Sequence, residues 1–283
     1  MIYDRESKTV NEDSQYGGKY LNFLYNKAFG RILLKLIISP VFSKINGKYN
    51  NMRISKKKIK KFINEYNIDM AEYEEKEYKS FNEFFIRKKK KTEHDKEKDT
   101  FISPADSKLT VYKIEDDLTI KVKQSIYTIE ELIQDKFDLD QFKNGNCLVF
   151  RLSMDNYHRY CYADDGTIEN TKRIKGKLHT VSSISNKHKV YSQNTRVCSY
   201  INTENFGKII CIEVGALTVG KINNKDEINC EKGEEKGYFE LGGSTIVILT
   251  NDKIKIDDDI LEYSNQGIET KVKYGERIGK VRC

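Results

Sequence analysis

Several patterns that mark large classes of proteins are missing from this 283-residue chain. No uninterrupted apolar stretch reaches the roughly 18 residues that a membrane-spanning helix requires, so we do not expect the chain to cross a bilayer by itself. The sequence also lacks a phosphate-binding loop, a Rossmann-type glycine pattern and a pair of cysteines at the spacing of zinc ligands. The sequence therefore gives no sign of a nucleotide-binding site or of a metal site.

Paired cysteines are absent as well. The six cysteines are Cys147, Cys161, Cys198, Cys211, Cys230 and Cys283. They are far apart, none forms a Cys-x-x-Cys motif, and the N-terminus carries no cleavable secretory signal. We therefore expect reduced thiols in a cytosolic compartment.

Positive charge is in modest excess and unevenly distributed. Lysine and arginine number 50 against 43 acidic residues, a net charge of +7, and the excess is concentrated in Lys56–Lys61 and Arg87–Lys91. Such runs suit an anionic partner, either nucleic acid or an acidic lipid surface, although a single run is more often a solvated face. The 18 tyrosines add to the case for nucleic acid, but no recognisable nucleic-acid-binding module is present. We predict no nucleic-acid partner.

The first helix is predicted over Leu21–Ile38, a segment rich in leucine, isoleucine and aromatic residues. Lys27, Arg31 and Lys35 follow at i+4 spacing and would form one basic stripe, and Pro40 would stop the helix. An apolar helix with a basic stripe suits an interfacial membrane anchor. An amphipathic helix packed on the protein's own core fits the same pattern equally well.

Two further helices are predicted before residue 100. The first has Ser55 as its N-cap and an apolar face within Ile59–Tyr66. The second begins at Ser80, where Ser80 and Glu83 form a capping box ahead of a phenylalanine-rich face. The N-terminal third is therefore predicted to be helical.

The remainder of the chain has the pattern of a β-rich domain. Short segments rich in isoleucine, valine and leucine are Leu118–Gln124, Cys147–Ser153, Lys208–Val214, Ser244–Thr250 and Glu269–Lys273. One helix, capped by Thr128, interrupts them. We predict an α+β fold, in which a helical region of residues 1–100 packs on a β-rich, sandwich- or barrel-like core of residues 101–283.

The tetrapeptide Gly242-Gly243-Ser244-Thr245 is a candidate site of self-cleavage. The two glycines free the backbone and leave the Gly243 carbonyl open to attack by the Ser244 hydroxyl. An N-to-O acyl shift followed by elimination would break the chain and leave a pyruvoyl group at position 244. The alternative is a Gly-Gly turn that simply enters a strand.

An aspartate and a histidine occur in the order that a serine relay requires. Asp106 follows Ser103-Pro-Ala and precedes a predicted strand, and His158 comes directly after the strand Cys147–Ser153. The carboxylate could orient the imidazole, which would remove the proton of Ser244. Of the other three histidines, His94 lies in a charged run and is best explained as solvated.

Seven ordered blocks make the chain resemble the phosphatidylserine decarboxylase family of self-processing, pyruvoyl-dependent enzymes. The blocks are Ser80–Arg87, Ser103–Asp106, Asp155–Arg159, Val214–Ala216 with Val219-Gly220, Lys236–Phe239, Gly242–Thr245 and Gly275–Gly279. They cover the chain from about residue 80 to its C-terminus, and ordered blocks are far more specific than any single motif.

The resemblance implies a reaction and a set of site residues. Asp106, His158 and Ser244 would drive cleavage between Gly243 and Ser244, giving a large β chain of residues 1–243 and a small α chain of residues 244–283 that stay associated. The pyruvoyl group at position 244 would form a Schiff base with phosphatidylserine and release carbon dioxide, leaving phosphatidylethanolamine. His158 is the first candidate for the proton donor and His179 the second.

The chain departs from the family pattern at one position. Many relatives have His-Arg-x-His where this chain has His158-Arg159-Tyr160-Cys161, and the second histidine has been assigned the relay role in some members. Cys161 takes its place and is most simply a packed thiol. The base would then be His158, or His179, or His188; His158 is favoured because the motif around it is retained.

The resemblance also implies a location and partners. Family members lie peripherally at the cytoplasmic face of the cell membrane, so residues 1–100 would be a membrane-associating region that meets phosphatidylserine and an anionic surface. A homo-oligomer is compatible with this prediction. Candidates for the phosphate ligand are Arg87, Arg159, Lys27 and Arg31. Besides the nucleic-acid-binding protein considered above, two alternatives remain: a non-enzymatic lipid-binding protein, and a pyruvoyl decarboxylase of a small soluble amino acid.

Overall fold

The structure, a computed structural model, describes residues 1–13, 18–122, 125–135, 138–181, 189–217 and 221–282. Most of the helical structure lies in the first hundred residues. The helices are α1 (Gly18–Asn26), α2 (Ala28–Ile37), α3 (Pro40–Asn51), α4 (Lys58–Tyr66), α5 (Phe81–Phe85), α6 (Ile129–Ile133), α7 (Val190–Gln193) and α8 (Asp258–Asn265). Short 3₁₀ turns occur at Arg53–Lys57, Met70–Glu72 and Asp140–Phe142.

The strands are β1 (Ile2–Asp4), β2 (Thr9–Asn11), β3 (Thr100–Ile102), β4 (Ser107–Lys113), β5 (Thr119–Val122), β6 (Ser125–Thr128), β7 (Asn146–Leu152), β8 (Arg159–Cys161), β9 (Gly166–Ile174), β10 (Arg196–Thr203), β11 (Gly207–Val214), β12 (Ile222–Asn224), β13 (Asn229–Cys230), β14 (Glu235–Phe239), β15 (Ser244–Thr250), β16 (Ile254–Ile256), β17 (Glu269–Val272) and β18 (Arg277–Val281). All five strands listed for the β-rich region are confirmed, as is the helix capped by Thr128, whose Oγ1 accepts from the Glu131 N–H at 3.1 Å.

The core is one large sheet with smaller sheets beside it. Ten strands pair in the order β13-β9-β10-β11-β15-β7-β4-β17-β1-β2, and two three-stranded sheets have the orders β12-β14-β8 and β16-β18-β3. The predicted α+β fold with a β-rich core is therefore confirmed. Among the described residues the large sheet remains open at both edges and does not close into a barrel.

Strand β15 lies in the middle of the large sheet and is buried along its whole length. Ile246 and Ile248 face one apolar cluster, whereas Val247 and Leu249 face another on the opposite side of the sheet. A strand covered on both faces reads as a continuous apolar run instead of an alternating one. Ser244 shares the side of Ile246 and begins this strand.

The prediction of a single helix over Leu21–Ile38 is wrong. The chain leaves the helix at Lys27, which has extended φ and ψ angles of −99° and 144°, and α2 begins only afterwards. Arg31 and Lys35 share α2, but Lys27 does not belong to their stripe. The predicted stop before Pro40 is confirmed, because α2 ends at Ile37. Pro40 also opens α3 behind the N-cap Ser39, whose Oγ accepts from the Phe42 N–H at 3.2 Å.

The predicted cap at Ser55 is wrong, whereas the cap at Ser80 is confirmed. Ser55 lies inside a 3₁₀ turn, where its hydroxyl donates to the Met52 carbonyl at 2.6 Å and accepts from the Phe81 N–H at 2.9 Å. Ser80 Oγ accepts from the Glu83 N–H at 3.2 Å and caps α5. The two serines together fix the start of α5.

Helix α5 joins the helical region to the segment that precedes β15. Its side chains Phe81, Phe84 and Phe85 form an apolar cluster with Phe62 of α4 and with Leu241. Asn82 in the same helix accepts a hydrogen bond from the Leu241 N–H at 3.3 Å. The backbone just before Gly242 is therefore held from the helical side.

A buried ion pair connects the small sheet of β14 to the large sheet. Lys236 Nζ lies 2.7 Å from Glu213 Oε1 and 2.9 Å from Ser199 Oγ, and both charged side chains are almost fully buried. Glu213 Oε2 accepts from Asn224 Nδ2 at 3.1 Å. Removing one partner would leave a buried charge without compensation, which is strongly destabilising.

We therefore expect Lys236→Met to lower the free energy of unfolding by about 3–5 kcal/mol. Lys56→Met is the control, because Lys56 pairs with Glu77 on the surface, where the two side chains are 50% and 85% exposed, and such a pair contributes at most about 1 kcal/mol. Urea unfolding in a Ser244→Ala background keeps every sample a single chain. Equal losses in the two variants would contradict the assignment.

Candidate active site

Ser244 and His158 meet where two neighbouring strands of the large sheet, β15 and β7, begin and end. Ser244 begins β15 and is directly opposite Leu152, near the end of β7. His158 follows that end after a short turn, and Ser244 Oγ lies 3.3 Å from His158 Nδ1. Both side chains are buried, with exposed fractions of 0% and 1%. Strand pairing therefore brings together two residues that are 86 positions apart in the sequence.

The surroundings of His158 determine which ring nitrogen carries the proton. Nε2 lies 3.0 Å from the carbonyl oxygen of Ser153, which can only accept, so Nε2 carries the hydrogen and donates it. In the neutral ring Nδ1 is then the acceptor, and it faces the Ser244 hydroxyl. The Phe85 ring, whose centroid is 4.4 Å from that of the imidazole, covers the pair.

Burial keeps this imidazole neutral. Loss of solvation lowers the pKa of His158 from 6.5 to about 3, with a smaller contribution from the positive charge of Arg87, while the bond to the Ser153 carbonyl acts in the opposite direction. Nδ1 therefore carries no proton at physiological pH and can accept a hydrogen bond from the Ser244 hydroxyl. A hydroxyl facing an unprotonated imidazole nitrogen is the arrangement of an activated nucleophile.

We expect nitrogen-15 NMR of a Ser244→Ala chain to show His158 neutral and protonated at Nε2 down to about pH 5. Because the pKa is lowered in the folded state, the neutral ring favours folding above the unfolded value of 6.5, and this contribution is lost as the pH falls from there towards 3. Titration of His158 with a midpoint near its ordinary pKa would contradict the assignment.

The two glycines before Ser244 have different structural roles. Gly242 has φ of +128°, a conformation that other residues rarely adopt. Gly243 is not in that region, and a Cβ atom there would meet only the Leu152 carbonyl oxygen at 3.6 Å and Val181 Cγ2 at 4.0 Å. Gly242 therefore makes the turn, whereas Gly243 has only ordinary contacts beside its Cα.

Asp106 is engaged with partners other than His158. Its Oδ2 accepts from Lys89 Nζ at 2.9 Å and its Oδ1 accepts from the Tyr274 N–H at 2.7 Å. In the described part of the chain, the imidazole Nε2 is instead bonded to the Ser153 carbonyl. The structure thus brings His158 to Ser244 and holds Asp106 in an ion pair with Lys89, a residue of the basic run Arg87–Lys91 for which the sequence indicated no internal partner.

Cys161 lies beside the loop that carries Asp106. Its N–H donates to the Pro104 carbonyl at 2.9 Å, and its Sγ lies 3.5 Å from the same oxygen. Burial raises the pKa of the thiol to about 12, so the sulfur stays protonated. Position 161 therefore contacts the aspartate loop.

His179 is held by the first helix. Its Nδ1 lies 3.3 Å from the hydroxyl of Tyr25 in α1, and the Asn194 side chain bonds both its N–H and its carbonyl group, at 2.9 and 2.8 Å. His179 is buried. His188 lies outside the described residues.

The candidate anion ligands differ in their surroundings. Arg159 is paired with both carboxylate oxygens of Glu235, at 2.8 and 3.0 Å. Lys27 and Arg31 are exposed on the helical region. Arg87 is only 2% exposed, and its Nε and Nη1 atoms have no hydrogen-bond partner in the described structure.

Two kinds of feature are missing from the described segments. No helix within the described segments has the length and apolar character needed to cross a membrane. In those same segments, histidine, cysteine, aspartate and glutamate side chains do not cluster into a group of three that could hold a metal ion.

The fold places a buried serine–histidine pair at the start of a central strand, and pairs of this kind activate the nucleophile in many enzymes. A model of the family described as phosphatidylserine decarboxylase matches residues 81–280. The phosphatidylserine decarboxylase proenzyme 2 of Clostridium acetobutylicum is 56% identical to this chain, with 99% of this chain and 98% of that protein covered. The proenzymes of Clostridium botulinum and Clostridium perfringens are 42% and 39% identical, each with 98% of both chains covered. The chain belongs to the phosphatidylserine decarboxylase family.

Proposed function

We propose that this protein converts phosphatidylserine to phosphatidylethanolamine and carbon dioxide, after cutting itself between Gly243 and Ser244 to form a pyruvoyl group at position 244. The observation that carries the proposal is the buried pair of Ser244 Oγ and His158 Nδ1, 3.3 Å apart. It provides a hydroxyl and a neutral imidazole next to the Gly243–Ser244 peptide bond. The family membership of the chain supports the same assignment.

The cleavage proceeds by transfer of a proton and an acyl group. His158 Nδ1 takes the proton of Ser244 Oγ, and the oxygen attacks the Gly243 carbonyl carbon. The acyl group moves from the Ser244 nitrogen to Oγ, giving an ester and a free amine. Loss of the Ser244 α-proton and of the Cβ–Oγ bond then releases residues 1–243 as a carboxylate. The remaining dehydroalanine hydrolyses with loss of ammonia and leaves the pyruvoyl group.

The residues around position 244 fit such a group. A pyruvoyl carbonyl supplies a sink for the electrons released when carbon dioxide leaves an attached amino acid. His158 is close enough to exchange a proton with a substrate at this position, with His179 the second candidate. The burial of Ser244 and His158 gives this position low-dielectric surroundings, which favour loss of the carboxylate charge as carbon dioxide leaves.

The two chains are proposed to stay associated after the cut. Residues 244–283 supply β15, which pairs with β7 and β11 in the middle of the large sheet. They also supply β17, which pairs with β1 and β4. Asp106 adds a bond from the large chain to the Tyr274 N–H of the small chain. We infer that Asp106 is a positioning residue that fastens the small chain beside the site.

We also propose peripheral attachment to the cytoplasmic face of the cell membrane through α1–α3, with an anionic surface as the partner. The large apolar side chains that are exposed on these helices and on the turn that follows them are Tyr20, Phe23, Phe29, Ile32, Leu36, Val41, Phe42, Ile45, Tyr49, Met52 and Ile54. Arg31 and Lys35 are exposed on the same helices. Exposed apolar groups interleaved with cations suit insertion at a lipid headgroup boundary.

We expect Ser244→Ala to remain a single, inactive chain, because the attacking oxygen is missing. The native protein should give two chains, and the smaller should resist Edman sequencing because it lacks an N-terminal amine. Ser153→Ala is the matched control, since only the backbone carbonyl of Ser153 contacts His158, and it should be cut normally. Intact mass measurement distinguishes these states. Normal cutting of Ser244→Ala would remove Ser244 from the role.

His158→Ala should slow the cut by a factor of about 10²–10⁴, the usual contribution of a general base. His179→Ala tests the second candidate in the same time course. Slow cutting in His179→Ala combined with normal cutting in His158→Ala would transfer the role to His179.

For membrane attachment, we expect the triple variant Phe29→Ser, Ile32→Ser, Leu36→Ser to bind phosphatidylserine-containing vesicles at least about tenfold more weakly, because each buried apolar side chain contributes about 1.5–3 kcal/mol. Ile228→Ser is the control, as Ile228 is 72% exposed but lies outside the helical region. Vesicle flotation measures the effect. Equal binding of the triple variant and the control would exclude α2 as the contact.

A further inference from the structure

Arg87 is a buried cation without a counter-charge. Its side chain is 2% exposed, and no carboxylate of the described residues lies within ion-pair distance of it. The comparison with Arg196 is informative, because Arg196 is equally buried but donates to the carbonyl groups of Leu132, Ser192, Asn194 and Glu131. Two of the three guanidinium nitrogens of Arg87, Nε and Nη1, have no such partner in the described structure.

The contacts that Arg87 does make compensate its charge only in part. Nη2 donates to the Tyr73 hydroxyl at 3.3 Å, and the guanidinium carbon lies 4.4 Å from the Tyr73 ring and 4.9 Å from the Phe84 ring. Cation–π contacts of this kind hold a guanidinium in place, but they leave the N–H groups in the guanidinium plane without acceptors. Burying a charge with unused donors is costly unless an anion completes the site.

A second unused donor lies in the same neighbourhood. The Tyr78 hydroxyl is buried and has no hydrogen-bond partner in the described residues. Its ring meets the Phe84 ring edge-on at a centroid distance of 5.5 Å. The Arg87 guanidinium packs over the same Phe84 ring. Buried donor groups without acceptors require an explanation, and an anion that contacted both of these groups beside Phe84 would supply one.

This group of donors adjoins the candidate catalytic pair. Phe84 contacts Arg87, and the next residue, Phe85, contacts the ring of His158 at 4.4 Å. The carbonyl groups of Ile86 and Arg87 accept from the Arg159 guanidinium, at 3.0 and 3.4 Å for Nε. Because Arg159 follows His158 directly, these bonds fasten the Arg87 segment beside the reacting position.

We propose that Arg87, together with the Tyr78 hydroxyl, binds the phosphodiester of the substrate headgroup. The inference rests on the proposed function, since it assumes a phosphatidylserine headgroup at position 244. A guanidinium matches two phosphate oxygens at once through its planar N–H fork. A phosphodiester would supply the acceptors that Nε, Nη1 and the Tyr78 hydroxyl lack.

The chemistry favours the phosphodiester over the serine carboxylate as the ligand. The carboxylate loses its charge as carbon dioxide leaves, so an ion pair with it would stabilise the ground state more than the transition state. The phosphodiester keeps its charge throughout the reaction. Binding it orients the headgroup without raising the barrier.

The binding experiment uses the uncut Ser244→Ala chain, so that it does not depend on decarboxylation. Isothermal titration with glycerophosphoethanolamine, which has the phosphodiester but no carboxylate, is compared with titration by serine, which has the carboxylate but no phosphate. Arg87→Gln should weaken binding of glycerophosphoethanolamine at least about tenfold, and Tyr78→Phe should weaken it less. Lys91→Gln is the control for loss of one charge, because Lys91 is exposed.

Thermal unfolding without ligand separates a binding role from a structural one. Replacing an uncompensated buried charge should leave the ligand-free protein equally stable or more stable, so Arg87→Met should not lower the melting temperature. A structural arginine would show a lower melting temperature in this variant. That result, or unchanged glycerophosphoethanolamine binding by Arg87→Gln, would overturn the proposal, as would dependence on Arg87 for serine alone.

Steady-state kinetics of the cut enzyme on phosphatidylserine vesicles give the last distinction. Arg87→Gln should raise KM at least about tenfold with a smaller change in kcat, since the phosphodiester is bound equally in ground and transition states. A loss confined to kcat would overturn the assignment. Failure of the native protein to decarboxylate phosphatidylserine would instead refute the proposed function, while the binding result would still decide whether Arg87 holds a phosphodiester.

Discussion

The pairing of β15 with β7 is the constraint on which the candidate site depends. It sets Ser244 opposite Leu152, so the chain that leaves β7 can return His158 to the serine hydroxyl after a short turn. The start of β15 is buried between β7 and β11, which both belong to residues 1–243. One backbone interaction therefore positions the nucleophile, brings in its base and, if the chain is cut as proposed, holds the new terminus in place.

Exclusion of water gives the buried polar groups their chemical character. It lowers the pKa of His158 to about 3 and raises that of Cys161 to about 12, so one stays an acceptor and the other a protonated thiol. It also makes the unused donors of Arg87 costly, whereas Lys236 has its own carboxylate partner. The helical region contributes to this exclusion, because Phe85 of α5 covers the imidazole.

Local patterns predicted local structure well where one interaction dominates. The caps at Ser80 and Thr128 and the five apolar strands depend on neighbouring residues or on burial of a whole segment, and all are present. The break at Lys27 and the position of Ser55 were not predictable in this way. Ser55 is used by the Phe81 N–H from a different helix, so its role arises from tertiary contacts, which override capping preference.

The sequence by itself determined the α+β class, the positions of five strands and the candidate residues Asp106, His158 and Ser244, because these follow from apolar segments and from motifs. Only the tertiary structure decided their partners. The acceptor that orients His158 is the backbone carbonyl of Ser153, a group that every residue has and that leaves no trace in a sequence. Lys89 and Tyr274 meet Asp106 from distant parts of the chain. The hydrogen-bond partners of a side chain depend on which strands pair and which groups lose water, and both are properties of the folded chain.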